Sequence, residues 1–286
     1  MFTRRVTLKN IWVPLSGAIA QQRNVEVIAN NVANINTPGF KKDQLVFKEY
    51  LTAFDKGTDD IDMPRDEWRP SDYYKSYGSE HSQVRIDGNY TIHDQGQLSM
   101  TNNPLDLGLR GPGFFEVLSP NGIRYTRAGS FSISGDGFLV NANGHPVLAK
   151  LDLTQIQGNE STQENPLPKP DERKIKLTPG KISINFQGEI FSNENKIGQL
   201  SIVEFNDIHA LKKEGNSLFI NPDKNNINPE ISHTIINQGF VEGSNVNAIQ
   251  EMSALIKANR QFETIQRAIK AYDSVVGNGI NEISNF

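Results

Sequence analysis

The sequence predicts an α+β fold: N- and C-terminal helices paired as a coiled-coil-like layer, with a central antiparallel β domain. Three observations predict it. Apolar residues near both termini recur at alternating steps of four and three, the spacing of a coiled-coil stripe. Between the termini the period falls to two, and Gly, Pro and Asn punctuate the runs. Each terminal stripe also needs apolar cover, and the other terminus can supply it.

The first stripe runs Ile11, Leu15, Ala18, Val25, Ala29 and Val32, interrupted only by Gln22, and Ile19, Ile28 and Ile35 widen one side of it. Pro14 is tolerated in a first turn, so the regular helix is expected to begin near Val13. It is expected to end between Asn34 and Asn36. Thr37 precedes Pro38, which disfavours helix there, and Gly39 permits a sharp turn. The stretch "ANNVANINTPGFKK" (29–42) carries Asn30, Asn31, Asn34 and Asn36. Asparagine amides donate and accept, so they can satisfy helix-end carbonyls or the backbone of a neighbour. Residues 1–40 are therefore read as the N-terminal helical part and 41–89 as an extended linker. Within that linker, residues 55–80 hold turn formers, scattered aromatics and no period.

Residues 90–240 are read as a β-rich domain. "PLDLGLRG" (104–111) alternates apolar with polar or small residues. "GFFEVLSPNGIRYTR" (113–127) reads strand, turn at Pro120-Asn121-Gly122, strand. "FSISGDGFLV" (131–140) repeats that pattern around Gly135-Asp136-Gly137, and "KISINFQGEIF" and "GQLSIVEF" supply further strands. Residues 157–174 are polar and Pro-rich, the composition of a mobile loop.

The last helix, within 241–286, carries Ala248, Met252, Leu255, Phe262, Ile265, Ile269, Tyr272 and Val276 on one face, with Asn259 among them. Ile249 and Ile256 form a second line. Asn247 and Gln250 have the spacing of a capping box. Gly277 and Gly279 are the expected stop, giving about thirty residues and ~45 Å.

Composition narrows the function. A net charge of −4 lacks the Lys and Arg excess that phosphate binding requires, so no nucleic-acid partner is expected. No run approaches the ~18 apolar residues of a spanning helix. With no cysteine there is no disulfide, thiolate metal site or Cys nucleophile. None of the five histidines lies within four residues of another, and no HExxH, Gly-x-Ser-x-Gly, Rossmann or phosphate-loop spacing occurs. No catalytic residue, cofactor or metal is expected. Asp59, Asp60 and Asp62 form an acidic loop cluster, read as a solvated linker.

Read from the residues alone, three classes stay open. The surplus apolar faces suit a subunit that stacks on copies of itself, because contacts that do not close generate a filament. Residues 3–9, "TRRVTLK", approach a twin-arginine motif, and Ala18 and Ala20 resemble a cleavage site, which suits a secreted periplasmic binding module. An enzyme with an acidic site within 55–94 is the third.

Four ordered motifs then point to a family. "SGAIAQQRNVEVIANNVANINTPGFKK" (16–42) resembles the N-terminal signature of the bacterial flagellar rod and hook proteins. "NNPLDLGLRGPGFFEV" (102–117), and "YTRAGSFSIS" with "GFLVNANGHPVL" (125–148), resemble its β motifs. "QGFVEGSNVNAIQEMSALIKANRQFE" (238–263) resembles its C-terminal signature and is most similar to the proximal-rod type, then to the distal-rod type. The basic segment "MFTRRVTLK" and the 157–174 loop depart from the pattern.

The resemblance implies a non-enzymatic axial subunit of the flagellar basal body. It implies export through the flagellar type III apparatus without signal cleavage, and assembly in the periplasm with copies of itself and other rod and hook proteins. It also implies an inner layer of terminal helices with the β domain outside. The expected mechanism is ordering on assembly, with docking burying both stripes. The expected packing residues are Leu15, Val25, Ile28, Val32, Met252, Leu255, Phe262 and Ile269. The expected polar contacts are Asn30, Asn31, Asn34 and Asn245. Trp68, Tyr73 and Tyr74 are either interface anchors or covers of the β domain.

Overall fold

The computed structural model describes residues 12–53, 66–67, 81–150, 170–177, 180–193, 195–229 and 233–284. Ile11, residues 3–9, the acidic cluster at 59–62, Trp68, Tyr73, Tyr74 and most of the 157–174 loop lie outside the described residues.

The first element is α1, Trp12–Ala33, with Pro14 in its opening turn. Three strands follow: β1, Asp43–Ala53, β2, Asp66–Glu67, and β3, His81–Thr91, in a sheet of order β2-β1-β3. The described parts of the expected extended linker are thus paired strands. The pairing partners lie far apart in sequence, so local composition carries no sign of them.

The β-rich region begins with β4, Leu98–Met100, β5, Leu107–Arg110, β6, Phe114–Ser119, and β7, Gly122–Thr126. The expected hairpin forms: Ser119 faces Gly122, and Gly122 takes the positive φ that such a turn requires. The second hairpin joins β8, Phe131–Ile133, to β9, Leu139–Asn141, around Gly135-Asp136-Gly137. Then come β10, Ile182–Ile184, β11, Glu189–Ser192, β12, Asn195–Gln199, and β13, Ile202–Val203. The last strands are β14, Lys212–Gly215, β15, Leu218–Ile220, β16, Ile235–Gln238, and β17, Phe240–Glu242. The widest sheet has the order β13-β6-β7-β15-β14, with every neighbouring pair antiparallel. Late strands return to early ones, β16 onto β5 and β17 onto β4. Leu107, Leu109, Phe115, Val117, Val147, Ile190, Leu200 and Ile236 form its main core.

The chain closes with α2, Ala248–Ser284, 37 residues long. Asn247 caps it, its Oδ1 accepting from the amides of Ile249 at 3.1 Å and Gln250 at 3.2 Å. The expected stop does not occur, because α2 runs through Gly277 and Gly279. A helical glycine costs about 1 kcal/mol relative to alanine but does not forbid the helix.

The chain divides into two units. One is built from α1, β1 to β3 and α2. The other comprises the described residues of Ala33–Lys42 and Thr91–Val246.

Candidate assembly site

In the helical unit the two helices meet through small and polar side chains. A Cβ added at Gly17 would lie 4.0 Å from Ile265 Cδ1. Gln21 Nε2 donates to the Ala258 carbonyl at 3.2 Å and to Gln261 Oε1 at 3.1 Å. Asn31 Nδ2 donates to Glu251 Oε2 at 3.3 Å. The contact positions rise along α1 as they fall along α2, so the helices are antiparallel. Ala20 and Ala258 are buried.

The line of α1 that meets α2 lies one residue earlier than the apolar stripe suggests: Gly17 rather than Ala18, Gln21 rather than Gln22, Asn31 rather than Val32. On α2 the contacts at Glu251, Ala258 and Ile265 fall on the same line as the expected Leu255, Phe262 and Ile269, and Met252 and Asn259 lie beside it. One residue is about 100° of helix rotation, enough to move bulky groups off the seam. Small residues stand at Gly17, Ala20 and Ala258, while part of the larger apolar set is left exposed beside the contact. Ile19 is 55% exposed, Ile249 79%, Met252 51% and Ile256 56%, and Leu15 is exposed as well. Ile249, Met252 and Ile256 follow one another at steps of three and four and so form one apolar strip on α2, the kind of surface that marks an interaction site. A groove of about 890 Å³ runs beside the seam, lined by Gly17, Ala20, Phe47, Val84, Ile256 and Ile265 among others.

The expected assembly residues divide accordingly. Leu15, Asn30 and Met252 are exposed, while Val25, Ile28, Val32, Asn34, Leu255, Phe262 and Ile269 are half-buried. Asn31 is 1% exposed and is engaged inside the chain. Its Nδ2 donates to the Asp43 carbonyl at 2.8 Å and its Oδ1 accepts from the Asp43 amide at 3.0 Å. Asn34 Oδ1 accepts from Thr37 Oγ1 at 3.1 Å. Asn245 is also engaged internally: Oδ1 accepts from the Lys42 amide at 2.7 Å and Nδ2 donates to the Ile92 carbonyl at 2.8 Å.

The β-rich unit holds a feature that the sequence reading missed. Glu242 has no exposed side-chain surface, and its Oε1 lies 2.6 Å from Lys41 Nζ, equally shut from water. Its Oε2 lies 3.4 Å from Arg127 Nη1, on a side chain 4% exposed. Lys41 Nζ also donates to the Asp94 carbonyl at 2.7 Å, and Arg127 Nη2 to the Gly111 carbonyl at 2.6 Å. The Gly96 amide donates to Glu242 Oε1 at 3.0 Å. Arg127 stacks over Phe114, 4.8 Å from the ring centre. Burial pulls the Lys41 ammonium below its ordinary range, and Glu242 only partly restores it; Arg127 is lowered for the same reason. The one available signal was a charge inside each of three Gly- and aromatic-rich motifs: "TPGFKK", "YTRAGS" and "QGFVEGS".

Among the described residues no group of three His, Asp or Glu is placed to hold a metal ion. No described helix is long and apolar enough to cross a membrane.

Three family profiles match the chain in order. Residues 13–41 match the flagella basal body rod protein, 108–192 the flagellar hook protein FlgE/F/G D1 domain, and 237–282 the flagellar basal body rod FlgEFG protein C-terminal. The chain is 30% identical over 277 residues to the flagellar basal-body rod protein FlgG of Buchnera aphidicola subsp. Schizaphis graminum, covering 94% of this chain and 97% of that relative. It is 30% identical over 257 residues to FlgF of Caulobacter vibrioides, covering 90% of each chain. It is 28% identical over 297 residues to the flagellar hook-basal body complex protein FlhO of Bacillus subtilis, covering 96% of this chain and 98% of that relative.

Proposed function

The chain belongs to the flagellar basal-body rod protein family and is a structural rod subunit; from that premise we propose that its exposed helix faces are the surfaces through which copies polymerise. The observation that carries this reading is the exposure of Ile19, Ile249, Met252 and Ile256 beside the contact between the two helices. Covering one such side chain contributes about 1.5–3 kcal/mol, offset by the entropy lost on docking. Leu15, Val25, Ile28, Val32, Leu255, Phe262 and Ile269 extend these faces, and Asn30 and Asn34 border them.

The proposal extends to the route. The subunit is exported through the flagellar type III apparatus and assembles in the periplasm with other rod and hook proteins. It keeps its N-terminal helix, because cleavage after Ala20 would remove Gly17, Ala18 and Ala20 from α1. The segment at 242–263 favours a proximal place in the rod. Relatives named FlgG and FlgF both match at 30% identity, and a distal place is the alternative reading.

Replacing Ile249, Met252 and Ile256 together by Gln tests the surface. The purified variant is expected to keep the native circular dichroism. In cells lacking the native chain it is expected to leave basal bodies without a complete rod and cells without motility. A complete rod, seen by electron microscopy of those basal bodies, refutes the reading. Imaging basal bodies with this chain labelled distinguishes the proximal from the distal place.

A further inference from the structure

We propose that the buried Lys41–Glu242–Arg127 cluster is a latch that makes docking of the segment 39–42 onto the β-rich unit conditional on arrival of the unit's last strand. The charges at the site set the first condition. Two cations and one carboxylate are in contact out of water, and the buried Glu204 carboxylate also acts on Arg127 but not on Lys41, whose one buried carboxylate partner is Glu242. Both carboxylate oxygens are engaged, Oε1 by Lys41 and the Gly96 amide, Oε2 by Arg127. The carbonyls of Asp94 and Gly111 take further donors.

Chain order supplies the second step. The cations come early and the carboxylate last, 201 residues after Lys41 and 115 after Arg127. Burying an ammonium without its carboxylate is strongly unfavourable, far beyond what a carbonyl at 2.7 Å returns. Until residue 242 is in place, Lys41 therefore stays in water and holds its neighbours there.

The third step is that the same arrival completes the backbone. The Gly39 amide donates to the Glu242 carbonyl at 2.8 Å, and the Lys42 amide to Asn245 Oδ1 at 2.7 Å. Lys213 Nζ then closes over the Lys41 carbonyl at 2.8 Å and the Phe40 ring at 3.8 Å. An unfinished chain, supplied from its N-terminus, lacks every one of the contacts made by residues 242 and 245. The latch thus keeps the N-terminal segment undocked until the β-rich unit can be completed.

Amide hydrogen exchange on the full-length chain tests this. In Glu242→Gln, the amides of Gly39 and Lys42 are expected to exchange at least about 100-fold faster, while those of β6 and β7 keep their protection. In the double variant Lys41→Met with Glu242→Gln the buried ammonium is gone, while Arg127 keeps the Gly111 carbonyl, the Phe114 ring and the nearby Glu204 carboxylate, and protection at Gly39 and Lys42 is expected to return to within about tenfold of native. Unchanged exchange at 39–42 in the single variant overturns the proposal. So does a loss spread evenly over the unit, or a double variant that fails to recover. If Glu242→Gln does not fold, the double variant decides: folded with 39–42 protected supports the latch, and unfolded overturns it.

Discussion

Asn31 shows why an asparagine stands in the last turn of a helix. Its side chain presents a donor and an acceptor to the backbone of Asp43, as a neighbouring strand would, and reaches Glu251 with the same amide nitrogen. One residue thereby joins the end of α1, the start of β1 and the first turn of α2. Replacing Asn31 by Ala removes all three bonds inside a dry site, and the loss is expected to be about 2–3 kcal/mol. Denaturant midpoints of native and variant chains measure it, and a change under about 0.5 kcal/mol refutes this role. Tyr125 carries a pH prediction. Burial pushes its phenol up to about 12, with the nearby Glu116 carboxylate adding to the rise. The folded state therefore holds a proton that the unfolded state releases near its ordinary pKa of about 10. Stability is intact below pH ~10 and is lost as pH rises from ~10 to ~12, by roughly 2–3 kcal/mol at most. Phenolate absorbance should show one tyrosine titrating in that window only as the chain unfolds.

At the scale of elements, the helix that ignores its glycines offers the clearest test. Gly277 lies within α2, and a Cβ there meets nothing within 4 Å. Gly277→Ala is expected to stabilise the end of α2 by about 0.5–1 kcal/mol, through the smaller entropy lost on ordering alanine. Exchange rates of the amides from 274 to 281 should fall by about threefold to fivefold, and a rise contradicts a continuous helix. The elements differ in how legible they were. Both terminal helices, the Asn247 cap and the hairpins at 120–122 and 135–137 follow from local period and turn chemistry. The helix stop did not, because propensity is weak beside the cooperativity of a long helix. On α1 the contacts with α2 fall one residue before the expected stripe, because large apolar side chains mark a stripe more visibly than Gly17 does. The latch was invisible for a different reason. Lys41, Arg127 and Glu242 each stood inside a quoted motif, but no local rule pairs residues 201 or 115 positions apart.

At the scale of the whole molecule, the proposed polymer sets a geometric demand. The outer face of α1 carries Leu15 and Ile19, and that of α2 carries Ile249, Met252 and Ile256. A rod that lengthens indefinitely needs a contact between unlike faces, because a contact between like faces closes on itself as a dimer. The α1 face of one copy is therefore expected to meet the α2 face of the next. Two single-face variants test this: Leu15→Lys with Ile19→Lys, and Ile249→Lys with Ile256→Lys. These positions are exposed, so both variants are expected to fold. Each keeps one working face and has nothing matching to bind among its own copies, so neither should grow. Mixed in equal amounts, they still hold one intact α1 face and one intact α2 face between them. The mixture is expected to give a complex of twice the subunit mass and nothing longer, measured by analytical ultracentrifugation at concentrations where the native chain polymerises. Dimers formed by either variant alone would place like faces against each other, and a mixture that stays monomeric would remove the helix faces from the contact altogether.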